Sequence, residues 1–158
     1  MDLMKTVGLT HGGFYGHFSS KEDLMAQACA RALSRSLEVW SKRADSAPDD
    51  PLLWIAGGYL SSKHRDNPGA GCVLAALGPD AARQGPGVRR AVTEGLRSAI
   101  DFVAKLVADK SKPARRQKAI SIYASFVGAM VMARAVDDRA LSKEILNAVL
   151  ASVSKFNA

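Results

Sequence analysis

Between Gly8 and Leu24 the chain gathers a hydroxyl (Thr10), two imidazoles (His11, His17), a phenol (Tyr15) and an ammonium (Lys21). These groups suit phosphate oxygens and the edges of bases, so nucleic-acid recognition is the chemistry they could perform. Gly8 is placed to end a short helix begun at Asp2, since glycine readily takes the left-handed conformation of a helix stop. Thr10 is placed to cap a second helix running to about Phe18. Gly12, Gly13 and Gly16 each cost that helix up to about 1 kcal/mol against alanine, a sacrifice explained by close approach of the backbone to a large ligand. Two short helices around a tight turn form a helix-turn-helix, whose second helix lies in the DNA major groove.

Gly8-Leu9-Thr10, Tyr15-Gly16-His17-Phe18 and Lys21-Glu22-Asp23-Leu24 closely resemble the recognition-helix signature of the tetracycline-repressor (TetR) family, in fixed spacing. The resemblance spans about the first quarter of the chain. It implies that Tyr15 and Lys21 clamp phosphate, that His17 contacts phosphate, and that Thr10, His11, Gly12 and Gly13 face base edges. Leu9, Phe14, Phe18 and Leu24 would form the small core beneath. It also implies a homodimeric, ligand-responsive repressor with a double-stranded DNA operator and a small-molecule effector as partners. Relatives carry a complete first helix ahead of this turn, where this chain has seven residues. The helix-turn-helix is therefore expected to be incomplete, with residues 1–18 loosely held. A DNA-binding-deficient dimer that binds an effector or a protein partner is the alternative.

Net charge is +7 and the sequence pI about 9.7, values that suit an anionic partner. The charge is not concentrated in the motif. Its densest run, Lys105, Lys110, Lys112, Arg115, Arg116 and Lys118, reads as a solvated turn around Pro113. Cys29 and Cys72 have no spacing for zinc or a disulfide framework. Nucleophile elbows, zinc-protease helices and phosphate loops are missing, and His11, His17 and His64 are badly spaced for a metal triad. The reading is a protein that is not an enzyme and needs no cofactor. The uncharged run Ala119–Ala133 is too short to span a bilayer, which takes about 20 residues. A soluble, cytoplasmic protein with no membrane partner is expected.

The elements that must position the motif are all helical in period, so the fold class is all-α, about eight helices in number. Helices are expected over Lys21–Ala44, Leu52–Lys63, Gly71–Leu77, Val88–Ala108 and Ala114–Val136, with Asp137 or Asp138 capping a last one. Ser19 with Glu22, or Ser20 with Asp23, can form a capping box at the first of these. Residues 1–44 are assigned to the partial helix-turn-helix and its connecting helix, and residues 45–158 to a ligand-binding and dimerisation domain. The stripe Leu141, Ile145, Val149, Val153 and the apolar helix before it place dimerisation in residues 114–157, through Val127, Met130 and Val149. Trp54, Tyr59, Cys72, Phe102 and Tyr123 are the candidate effector-pocket residues. Cys72, after Gly69-Ala70-Gly71, is also a candidate sensing thiol.

Overall fold

In the computed structural model the described residues are 3–8, 10–47 and 49–156, without the side chains of Leu3, His11 and Phe156. Nine α-helices and two single 3₁₀ turns account for all regular structure among them. The N-terminal pieces are α1 (Leu3–Thr6) and α2 (His11–His17), followed by the long α3 (Lys21–Asp45). Then come α4 (Pro51–Tyr59), α5 (Ser62–Asp66), α6 (Val73–Ala82), α7 (Pro86–Leu106), α8 (Lys112–Ala135) and α9 (Arg139–Val153). The 3₁₀ turns are Pro68–Ala70 and Ser154–Phe156.

Local chemistry sets most of these starts. Thr10, Ser20, Asp50, Ser61, Ser111 and Asp138 each accept a backbone N–H from the first turn of the helix they precede. Asp138, not Asp137, caps α9. Gly8 takes φ +73°, the left-handed stop its position called for. One expected helix is instead two. Leu52–Lys63 breaks after Tyr59, because the Ser61 hydroxyl accepts the His64 N–H at 3.2 Å and donates to the Gly58 carbonyl at 2.9 Å. In the other direction, α6 runs past the expected stop at Leu77 and takes Pro79 inside it. Ala75 and Ala81 of α6 are buried on either side of Pro79, which forgoes one backbone hydrogen bond.

The core is a continuous cluster from α3 through α9, with Leu52, Val103, Ala119, Ile122, Phe126 and Met130 fully buried. Trp40, near the C-terminal end of α3, is part of it. Thus α3 carries the recognition segment at its N-terminus and core residues at its other end. It lies tightly along α7, where Leu33 packs against Gly95 and leaves no room for a Cβ. The basic run after α7 is a tied turn: Arg116 pairs with Asp101, Lys118 with Asp109, and Arg115 donates to the Asp109 carbonyl.

Met130 has no exposed surface and belongs to the chain's own core, while Val127 and Val149 are half-buried against it. Met130 therefore has no surface to offer a partner, which corrects its place among the interface residues. The apolar side chains left exposed on α8 and α9 are Ile120, Val131, Met132 and Leu141. Leu141 therefore departs from the expected inward stripe, since α9 turns Ser142, Leu146 and Val153 to the core. An apolar sequence run reports that a helix is covered, not which face its own chain covers.

Candidate nucleic-acid interface and regulatory core

The recognition segment is built on caps. Thr10 Oγ1 accepts the Gly13 N–H at 3.1 Å and starts α2. Ser20 Oγ accepts the Asp23 N–H at 3.0 Å, and Asp23 Oδ2 reaches back to the Ser19 N–H at 2.9 Å. Of the two possible capping pairs, the second therefore forms. These contacts, with Gln27, hold the Asp23 carboxyl below its usual range, the Gln27 hydrogen bond contributing most. Phe14 is buried, and its ring lies 5.5 Å from that of Phe18 and 5.1 Å edge-on from that of Tyr15. Phe18 and Leu24 are half-buried, and Met4 of α1 is buried. Leu9 and the His11 side chain lie outside the described residues.

Thr10, Gly12, Tyr15, His17 and Lys21 are exposed, Tyr15 by 64%, and Gly13 is half-buried. Phe14 anchors α2 while the neighbouring phenol, imidazole and ammonium remain accessible. That division, an apolar residue inward and hydrogen-bonding groups outward on a capped, glycine-rich helix, is what phosphate and base-edge contacts require.

Glu22, left out of the cap, does something the sequence did not disclose. Its Oε1 accepts the Gly87 N–H at 3.0 Å, at the start of α7. Gly85 supplies no side-chain cap and Pro86 has no N–H, so a carboxylate from the first turn of α3 caps α7 in their place. The Glu22 carboxyl packs against the glycines on both sides of Pro86, where a Cβ would push it aside. This contact links the start of α3 to the start of α7, across 65 residues of sequence.

Three of the candidate pocket residues come together. Cys72 Sγ lies 3.8 Å from the Tyr123 hydroxyl, and burial pushes the Tyr59 phenol far above its usual pKa, with Cys72 and Tyr123 adding to the rise. Phe102 is half-buried at the edge, its ring 6.3 Å from that of Trp40. Trp54 is not part of the group; it is 56% exposed. The face α4 buries is Leu52, Ile55, Ala56 and Tyr59, and in a helix as apolar as Pro51–Tyr59 the sequence cannot choose that face.

The centre is completed by residues not singled out for it. Trp40 stands edge-on to Tyr123 at 5.6 Å and to Tyr59 at 6.0 Å, and Phe126 stacks on Tyr59 at 5.2 Å. His64 accepts the Cys72 N–H on Nε2 at 3.0 Å and faces the Tyr59 carbonyl with Nδ1 at 2.7 Å. Those partners assign a neutral ring protonated on Nδ1. Burial depresses the His64 pKa; the Tyr59 carbonyl works against this and the Arg134 charge adds to it. Cys72 is thus held by its backbone as well as buried by its side chain. No signal in the sequence marks His64 as the strap between α4 and α6.

Solved structures share this all-helical fold over essentially the whole length of the chain. The reduced form of NemR from E. coli superposes with a TM-score of 0.81 at 22% identity, over 100% of this chain and 86% of that one. A TetR-family transcriptional regulator from Agrobacterium tumefaciens superposes with a TM-score of 0.73 at 20% identity, over 98% and 84%. No protein-family model matches the chain, nor does any curated protein sequence. Among the described residues no helix is long and apolar enough to cross a membrane, and no cluster of side chains could hold a metal ion.

Proposed function

We propose that the protein is a DNA-binding transcriptional repressor that acts as a homodimer and releases its operator when a small molecule binds the body. Residues 1–44 read DNA and residues 45–158 sense the ligand and dimerise. The observation that carries this reading is α2: capped by Thr10, anchored by Phe14, with Tyr15, His17 and Lys21 exposed beside it. The Glu22 cap on α7 supports the ligand response, because movement of α7 would be felt in the first turn of α3. Ile120, Val131 and Met132 support the dimer. Gly128 faces open space on the same helix, where a second helix could approach closely.

Fluorescence anisotropy with DNA from upstream of the protein's own coding sequence tests the proposal. The native fragment should bind more tightly than a scrambled duplex of equal composition. Lys21→Ala should weaken both and lower the salt slope by about one unit per subunit. Equal affinity for the two duplexes would contradict the reading and favour the DNA-binding-deficient dimer. Sedimentation of Met132→Glu, expected to be monomeric where the parent is dimeric, tests the interface separately.

A further inference from the structure

Helices α3 and α7 run parallel, with their N-termini at the same end of the molecule. Glu22 packs against Gly85 and Gly87, Leu33 against Gly95, and the Trp40 ring lies 6.3 Å from that of Phe102. The end of α3 that carries Ser20 and Lys21 is therefore level with the first turn of α7, residues 86–90. Packed helices are separated by about 8–10 Å, so that turn stands one helix width from the start of α3.

In the first turn of α7 Val88 is buried, whereas Arg89 and Arg90 are exposed. Side chains on a helix lean toward its N-terminus, so both guanidinium groups lean toward the end shared with α3. No carboxylate among the described residues lies within ion-pair distance of either. The acids of this end are occupied. Glu22 accepts the Gly87 N–H at 3.0 Å, Asp23 accepts the Ser19 N–H at 2.9 Å, and Asp80 pairs with Arg83 at 3.6 Å. Because Glu22 already fills the start of α7, what this end offers an anion is Lys21 and the two arginines, not the helix terminus.

We infer that Arg89 and Arg90 form a second phosphate-binding surface, which meets the backbone of the same duplex that α2 reads. The partner is DNA because the surface is cationic, exposed and continuous with Lys21. Guanidinium groups pair strongly with phosphate oxygens, and such contacts position a protein on a duplex without reading its sequence. They are made at the tips of long side chains, so the backbone amides of α7 stay uncovered. This rests on the DNA-binding reading above and extends it from the recognition segment to the body.

Fluorescence anisotropy of the full chain with the native and scrambled duplexes, between about 50 and 200 mM salt, tests it. Arg89→Gln combined with Arg90→Gln should weaken binding to both duplexes by the same factor. It should also shrink the loss of affinity across that salt range about three- to fourfold for each phosphate contact removed. Arg89→Lys combined with Arg90→Lys should keep most of the salt dependence, since an ammonium also serves phosphate as a point charge. Arg97→Gln, on the same face as Arg90 but about 10 Å farther along α7, should change it far less. The inference is overturned if the glutamine pair leaves affinity and salt dependence as they were, or if Arg97→Gln costs as much. It is equally overturned if the lysine pair behaves like the glutamine pair, or if the glutamine pair lowers the preference for the native duplex. Both duplexes report phosphate contacts, so a parent that binds them equally sinks the repressor and still tests the arginines. A parent that prefers its own duplex and ignores the arginines sinks only this inference.

Discussion

Thr10, Tyr15 and His17 turn their polar groups outward at a seven-residue helix that contains three glycines, whereas Trp40, Tyr59, Tyr123 and Phe126 turn their rings inward from α3, α4 and α8. The first region is held by caps and one buried phenylalanine, each worth little in stability. The second is a close-packed aromatic centre in which Phe126 has no exposed surface. On the proposed reading, the difference separates what would serve an outside partner from what serves the fold. A surface that must meet DNA keeps its residues at set spacings and tolerates weak local structure, while a core needs only volume and apolar character on one side.

The largest test of that contrast sets two phenylalanines against each other. Phe126→Ala should cost about 3–5 kcal/mol in urea denaturation, through lost burial and the cavity left beside Tyr59. Phe14→Ala should leave the main unfolding transition within about 1 kcal/mol and loosen only α1 and α2, because local segments open independently of the body. Equal losses from the two would mean that the regions fold as one. Next in size is Gly95→Ala. Its added methyl meets Leu33 where α3 and α7 touch, and the overpacking should cost about 1–3 kcal/mol. Thr10→Ala should remove about 1 kcal/mol of helix stability, visible as faster amide exchange in α2 with an unchanged global midpoint.

The smallest effect is a pH slope. His64 has a depressed pKa in the folded state, so the unfolded chain takes up a proton first as pH falls. Stability should be unaffected by His64 at neutral pH and above. It should decline as pH drops below about 6.5, the ordinary histidine value, and level off beneath the lower folded value. Denaturation midpoints of the parent and His64→Gln between pH 7.5 and 5, on the order of that range, should converge as the pH falls.

The sequence was informative where residues face solvent or begin helices. Thr10 and Gly8 could be read, and the caps of α3 and α9 narrowed to one of two neighbours, because a cap or a stop needs a particular side chain at a particular place. It was less informative where packing chooses among apolar faces. Trp54 and Tyr59 share one apolar helix, and only the assembled body buries one and exposes the other. Met130 and Met132 divide in the same way. Contacts remote in sequence, Glu22 with Gly87 and Arg134 with the end of α5, left no local trace because each joins residues more than sixty apart.

The account rests above all on α2 being the DNA-reading element, and hydrogen exchange of the chain with and without its upstream DNA tests this most directly. Amides of residues 11–17 and of the first turn of α3 should become protected with the native duplex and not with a scrambled one, while those of α4 and α9 stay unchanged. Protection that appears elsewhere, or equally with both duplexes, would contradict it.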